Sequence, residues 1–318
     1  MLYILFLLSI SLSACVTLWK ASELVMKSIM SFSRSLRLSS FVVAFLILGV
    51  LTSITEFSVG VNAIIQNRPS IFVGNLIGGS FVIMLFIIPL LAIFNNGVKL
   101  KDHLSQKKLL FFLALIISPA MVVLDGIVSR YDAALLLLFY GLFFYLFHRE
   151  SGALDMDTFE KIGRGKALKS LGKVLVGAVL IYISSTILVH NTISISDFIG
   201  IPAFLVSLLI LGIGTNLPEI IIAINSIYNR TPDIAFGNYI GSAATNTLLF
   251  AIFTLVYGPF PINAIGFHIT FFIITIGYVL FFMIARSKAR ISLIEGVILF
   301  SVYLVFLLFQ TTEIIFNH

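Results

Sequence analysis

The sequence has few charged residues and almost no cysteine. Charged residues make up 11% of the 318 residues and hydrophobic residues 59%, whereas soluble domains carry about 25% charged residues. So few charges cannot cover a water-facing surface, which excludes a soluble globular protein. The single cysteine, Cys15, has no partner in the chain, which excludes a disulfide-stapled fold. The mean hydropathy of +1.12 therefore indicates an integral membrane protein.

Long apolar segments recur along the chain. A helix needs about 20 apolar residues to cross a bilayer, and ten segments approach this length. They lie at about 2–19, 39–65, 70–95, 109–128, 132–148, 170–190, 197–228, 233–257, 264–285 and 291–310. The sequence therefore predicts an all-α polytopic membrane protein with ten transmembrane helices, multi-pass in the cell (plasma or inner) membrane. The connections are short, so no regulatory domain is expected.

The basic residues predict the orientation of these spans. With ten spans, 18 of the 20 lysines and arginines fall on one side, and only Arg68 and Arg130 fall on the other. Basic loops face the cytoplasm, so both termini are expected to be extracytoplasmic, and the net charge of +6 is a topology signal. An alternative interpretation of 12–15 as a lipoprotein cleavage box is disfavoured because no basic residue precedes the apolar run.

The sequence also contains an internal repeat. When residues 49–85 are compared with 212–248 at a constant offset of 163, twelve of 37 positions are identical, including Glu56/Glu219 and Asn62/Asn225. The offset covers five predicted spans, so the copies run in opposite directions through the membrane. We predict a first five-helix repeat at 1–148 (α-repeat 49–86), a cytoplasmic connection at 149–169 and a second repeat at 170–318 (α-repeat 212–249). Inverted repeats are typical of secondary transporters, which bind substrate near the midplane.

Two repeat-related carboxylates lie deep within apolar spans. A charge at the bilayer centre costs about 2.5–3.5 kcal/mol even on insertion scales, so Glu56 and Glu219 point to a cation site rather than to neutral carboxyls that serve packing. Hydroxyl and amide side chains precede each of them by three and four residues, on the same helix face: Thr52 and Ser53 in the first copy, Thr215 and Asn216 in the second. An all-oxygen set of this kind suits Ca²⁺, although Na⁺ or protons could occupy the same groups.

These residues resemble the motifs of the sodium/calcium exchanger group of the calcium/cation antiporter superfamily, in its prokaryotic type. The second copy reads GTNLPE over 214–219 and GNYIGS over 237–242; the first reads LTSITE over 51–56 and GNLIGG over 74–79. The resemblance implies antiport of Ca²⁺ against Na⁺ by alternating access, with the first and sixth spans as long sliding helices. It implies that Ca²⁺ is surrounded by Glu56, Glu219, Thr52 and Thr215, and that Na⁺ is bound by Ser53, Asn216, Ser242 and Asn246.

The first copy departs from the family pattern at two positions. Gly79 replaces the usual serine and Ile83 the usual asparagine, while Asn216 replaces a serine and Asn246 stands where many members carry aspartate. The sequence therefore leaves open whether fewer Na⁺ ions bind or whether protons drive the exchange.

Two other classes of function fit less well. An intramembrane hydrolase could use two carboxylates as an acid/base pair, but the sequence shows no nucleophile or protease motif, so no enzyme activity is expected. A channel needs weak sites along a continuous pore, unlike buried paired carboxylates. No cofactor is expected, since Ca²⁺, Na⁺ and possible H⁺ would be transported ions. Membrane lipid is the only other partner expected, with no nucleic acid and no protein.

Overall fold

The computed structural model describes residues 2–33, 53–99, 105–150, 164–229, 232–262, 267–288 and 290–316. Within these ranges the chain is almost entirely helical. The helices are α1 (Leu2–Ser33), α2 (Ile54–Ile65), α3 (Pro69–Val82), α4 (Ile88–Phe94), α5 (Gln106–Val122), α6 (Arg130–Glu150), α7 (Arg164–Ile199), α8 (Ala203–Val206), α9 (Gly212–Gly214), α10 (Leu217–Asn229), α11 (Pro232–Tyr257), α12 (Phe267–Lys288) and α13 (Leu293–Phe316). Helices satisfy every backbone polar group internally, as the bilayer core demands.

Short non-α segments join or follow some of these helices. Residues Ile83–Ile87 form a π-helical turn between α3 and α4, and Ser207–Leu211 form another between α8 and α9. Four two-residue strands pair in two antiparallel ladders at the helix ends. They are β1 (Val98–Lys99) with β4 (Arg290–Ile291), and β2 (Ile127–Val128) with β3 (Phe260–Pro261).

Eight helical stretches within the described ranges are long and apolar enough to cross a membrane, which confirms a multi-pass helical protein. They are Tyr3–Val25, Pro69–Phe94, Gln106–Asp125, Gly172–Ile199, Ala203–Asn225, Phe236–Tyr257, Phe267–Arg286 and Leu293–Gln310. The second predicted span, 39–65, lies partly outside the described residues, and its described part is the 12-residue helix α2. The fifth, 132–148, lies within α6. The count of ten spans therefore stays a prediction.

Burial separates central helices from peripheral ones. An 18-residue stretch within Pro69–Phe94 is 83% buried and one within Phe236–Tyr257 is 78% buried, whereas the stretches in α1 and α7 are 33% buried. The centre of the molecule is therefore formed by α3, α4 and α11. The peripheral helices α1 and α7 are the longest described, at 32 and 36 residues. They pack along each other, and Asn191 of α7 donates to the Leu7 carbonyl at 3.3 Å.

One helix-capping arrangement occurs twice at an offset of 163. Before α6, the backbone N–H and hydroxyl of Ser129 both donate to Asp132, at 2.8 and 2.6 Å. Before α13, Ser292 makes the same two bonds to Glu295, at 2.8 and 2.7 Å. These reciprocal capping boxes satisfy donors that a helix start otherwise leaves unpaired, and they fix where both helices begin.

The far ends of α2 and α10, in contrast, have different surroundings. Asn62 of α2 is buried, donates to Ser185 of α7 at 2.8 Å and accepts from Thr186 of α7 at 2.7 Å. Asn225, at the same repeat position in α10, is exposed. The end of α2 is therefore held against α7 by hydrogen bonds, whereas the equivalent asparagine of α10 is exposed.

Candidate ion-binding site

Both buried glutamates sit in the first turn of a helix. Glu56 is the third residue of α2 and Glu219 is the third residue of α10. Thr215 and Asn216 form a turn between α9 and α10, and Pro218 lacks the N–H that would continue the helix ladder. The first turn of a helix carries partial positive charge from its N–H groups. Each carboxylate therefore lies where the backbone favours negative charge.

The two side chains are shielded completely from the surroundings of the protein. Glu56 and Glu219 are each 0% exposed. The sequence supplies no lysine or arginine between 69 and 98 or between 174 and 229, the segments that hold most of the surrounding helices. Burial of a carboxylate is costly without compensating polar contacts, so the neighbours of each glutamate decide what the site can hold.

Glu219 is contacted by the Ser242 hydroxyl, which in turn lies against Ser53 of the first half. Ser242 of α11 donates to its Oε1 atom at 2.9 Å. The Ser53 and Ser242 hydroxyl oxygens are 3.5 Å apart, which brings the start of α2 next to this carboxylate. Tyr239 donates to the backbone carbonyl of Glu219 at 3.2 Å and holds the first turn of α10 in place.

Glu56 has a different environment, centred on Thr55. The Thr55 hydroxyl lies 2.6 Å from Glu56 Oε2 and 3.0 Å from the backbone carbonyl of Thr215. The other carboxylate oxygen, Oε1, is buried and has no hydrogen-bond partner. Thr215 in turn donates through its hydroxyl to Asn75 Oδ1 at 3.1 Å. A short polar path thus connects Glu56 with the helix break that precedes Glu219.

Buried amides complete the cluster. The Oδ1 atoms of Asn216 and Asn246, whose amides both lie beside Gly79, are buried without a hydrogen-bond partner among the described residues. More than nine in ten buried polar groups in proteins are hydrogen-bonded, so several unsatisfied oxygens in one place require an explanation. Together with Glu56 Oε1, they form a set of hard oxygen donors of the kind that Ca²⁺ and similar cations prefer.

The structure brings seven of the eight predicted site residues into this region. They are Glu56, Glu219, Thr215, Ser53, Asn216, Ser242 and Asn246, all buried. The eighth, Thr52, lies outside the described residues. Sequence reasoning missed Thr55 and Ser80, which have no polar counterpart in the second copy, and it assigned no ligand role to Asn75. The repeat-related pair Asn75/Asn238 was the available signal for that residue.

Comparison with known proteins places this geometry in context. The family described as "Sodium/calcium exchanger protein" matches residues 4–148 and 169–312. The "Sodium/calcium exchanger MaX1" of Methanosarcina acetivorans is 23% identical, over 94% of this chain and 96% of that protein.

Two solved structures share the fold over nearly the whole chain. The structure of the "H+/Ca2+ Exchanger CAX" has a TM-score of 0.78 and 18% identity, and the match covers 97% of this chain and 83% of that one. The "sodium-calcium exchanger NCX_Mj" has a TM-score of 0.66 and 19% identity, over 95% and 98% of the two chains. These neighbours are transporters, and nothing in them points to an enzyme. The chain belongs to the sodium/calcium exchanger family, and it is a cation exchanger of the calcium/cation antiporter superfamily.

Proposed function

We propose that this protein exchanges Ca²⁺ for Na⁺ across a membrane by alternating access. The observation that carries the proposal is that two fully buried carboxylates, each in the first turn of a helix, are linked by hydroxyl contacts between the two halves. Buried oxygens without a partner among the described residues accompany them. A bound cation supplies the charge that Glu56 and Glu219 require. Ca²⁺ and Na⁺ occupy the same carboxylates in turn, so the ions compete for one site and their movements become coupled.

The proposed ligands follow from the contacts. Ca²⁺ binds between Glu56 and Glu219 with oxygens from Thr215 and, as the sequence predicts, from Thr52. Na⁺ binds to the same carboxylates with help from Ser53, Asn216, Ser242 and Asn246. Ser242 supports this division because its hydroxyl already contacts Glu219, and sodium, like calcium, takes hard oxygen ligands.

The proposed transport cycle uses ten spans in two inverted repeats, with both termini outside the cytoplasm. The recurrence of the serine capping boxes at an offset of 163 supports the duplication. Alternating access requires that one side of the site opens as the other closes. The contacts of Asn62 with α7 and the exposure of Asn225 support such a half-closed state, in which α1 and α7 move as a pair.

A second candidate function is Ca²⁺/H⁺ exchange. The Thr55 hydroxyl has one proton, yet it faces two acceptors at bonding distance, Glu56 Oε2 and the Thr215 carbonyl. A proton on Glu56, donated to Thr55, leaves the hydroxyl proton for the Thr215 carbonyl and satisfies both contacts. The geometry around Thr55 therefore suits a carboxyl that gains and loses a proton in the cycle.

Flux measurements test the proposal and separate the two driving ions. The purified protein is placed in sealed vesicles, and Ca²⁺ uptake is followed under an imposed Na⁺ gradient and, separately, under an imposed pH gradient. Uptake under the Na⁺ gradient supports the first candidate, and uptake under the pH gradient alone supports the second. Glu56→Gln and Glu219→Gln should each abolish uptake, whereas Glu23→Gln, which changes a partly exposed acid of α1, should not. Robust uptake in either site variant would overturn the assignment.

A further inference from the structure

The two halves of the site differ at one pair of repeat-related positions. In the Glu219 half, Ser53 and Ser242 face each other with hydroxyl oxygens 3.5 Å apart, and Ser242 donates to the carboxylate. An offset of 163 converts this pair into Asn216 and Gly79. A Cβ atom added to Gly79 would lie 2.9 Å from Nδ2 of Asn216. The asparagine amide therefore fills the space that a side chain at position 79 would need.

The amide groups around this glycine are oriented by their partners. Asn216 Nδ2 donates to the Gly212 carbonyl at 2.7 Å, which only an N–H group can do. Asn246 Nδ2, which lies 3.1 Å from the same added Cβ, is 3.3 Å from the Ser80 hydroxyl. That hydroxyl donates to the Leu76 carbonyl at 3.1 Å, so it accepts from the amide. Both asparagines thus present positively polarised N–H groups to the space beside the glycine, and such groups repel a cation.

A second polar side chain is missing from the first copy of the repeat. Ile83 occupies the repeat position of Asn246, is fully buried, and begins the π-helical turn after α3. The first copy therefore has hydrocarbon where the second copy has an amide. The two carboxylates also differ in their hydroxyl contacts: Glu56 accepts from Thr55 of its own helix, whereas Glu219 accepts from Ser242 of α11.

We propose that the site holds a single Na⁺, bound in the Glu219 half by Glu219, Ser242 and Ser53, and that Gly79 and Asn216 together close the equivalent position in the Glu56 half. This inference rests on the proposed function and specifies its stoichiometry. Gly79 and Asn216 act as a matched pair, because the asparagine side chain fits only where the neighbouring residue 79 has no side chain. They determine how many Na⁺ ions the site accepts.

Direct binding of ²²Na⁺ to the purified full chain in detergent tests this inference, using equilibrium dialysis without Ca²⁺. The wild type should bind one Na⁺ per chain at saturation. The double variant Gly79→Ser/Asn216→Ser restores in the Glu56 half the serine pair of the other half, and it should bind two. Gly79→Ser alone should bind no second ion, because the added side chain and the asparagine compete for the same space. Glu219→Gln should bind none.

Two controls keep the outcome decisive. Gly141→Ala, at a glycine of α6 where nothing lies within 4 Å of an added Cβ, should still bind one ion, and thermal unfolding identifies any variant that fails to fold. A wild type that binds two ions or none, or a folded double variant that binds only one, overturns the inference. Binding of ⁴⁵Ca²⁺ is measured on the same samples. A wild type that binds no Ca²⁺ contradicts the proposed function, whatever number of Na⁺ ions it binds.

Discussion

Substitution of Gly78 by alanine tests how tightly the two halves must approach each other at the site. A Cβ atom on Gly78 would lie 3.0 Å from the backbone carbon atoms C and Cα of Leu208 and closer still to the carbonyl oxygen of that residue. The opposing atoms belong to the π-helical turn between α8 and α9, so no side-chain rotation can relieve the contact. The backbone of α3 and this turn would have to separate by about 1 Å to restore ordinary van der Waals distances.

The expected cost follows from this geometry. Overpacking of a well-packed core destabilises by about 1–3 kcal/mol, which corresponds to a fall in melting temperature of roughly 1.5–5 °C for a chain of this size. Gly141 in α6 offers a matched control, because nothing lies within 4 Å of a Cβ built there. Alanine at that helical position should stabilise by about 0.5–1 kcal/mol. The same displacement of α3 carries Asn75 away from Thr215, so Gly78→Ala should also weaken Ca²⁺ binding.

The assay is thermal unfolding of the purified protein in one detergent, followed by loss of helical circular dichroism. Gly78→Ala should melt below the wild type and Gly141→Ala at or slightly above it. If Gly78→Ala melts with the wild type, or if both variants shift by the same amount, the close backbone contact between α3 and Leu208 is wrong.

Three further perturbations give distinct outcomes. Asn62→Ala removes two hydrogen bonds to α7, each worth about 0.6 kcal/mol in a membrane. Amide hydrogen exchange in α2 should therefore become roughly 8-fold faster. An equal effect of Asn225→Ala on α10 would contradict the difference between the ends of α2 and α10. Ser129→Ala and Ser292→Ala each remove a capping box and should cost about 1 kcal/mol in unfolding free energy; unchanged melting would count against the caps. Thr55→Val leaves Glu56 and the Thr215 carbonyl without their shared hydroxyl, at a cost of about 1–3 kcal/mol, so Ca²⁺ uptake under the gradient that drives the wild type should fall at least about fivefold. Uptake equal to wild type would remove Thr55 from the mechanism.

Much of the site could be predicted from the sequence because the repeat marks it twice. Two glutamates at equivalent repeat positions within apolar spans, Glu56 and Glu219, are improbable by chance. Because a buried charge is costly, their presence indicates a function. The break before α10 was also readable, since Gly214 and Pro218 flank it. Hydropathy predicted less well where helices end: α7 begins at Arg164 and continues to Ile199, beyond the predicted 170–190, because apolar character marks the lipid-facing part of a helix and not its ends.

The remainder depends on contacts that the repeat does not show. Thr55 corresponds to Pro218 in the second copy, so nothing in the duplicated pattern drew attention to it. The fit of Asn216 against Gly79 needs the distance between two helices, which no single segment contains. Asn62 and Asn225 are identical in the two copies, yet only one is bonded to its neighbouring helix. A difference of this kind reflects the conformation of the transporter and cannot be read from residue types.

An anomalous difference map from crystals grown in Ca²⁺ tests the ion-binding site most directly. One strong peak is expected between the carboxylates of Glu56 and Glu219, at about 2.3–2.6 Å from oxygens of both, and it should be lost in crystals of Glu219→Gln. A peak that contacts only one glutamate, or a map in which both carboxylates are without a bound ion at saturating Ca²⁺, would contradict this expectation.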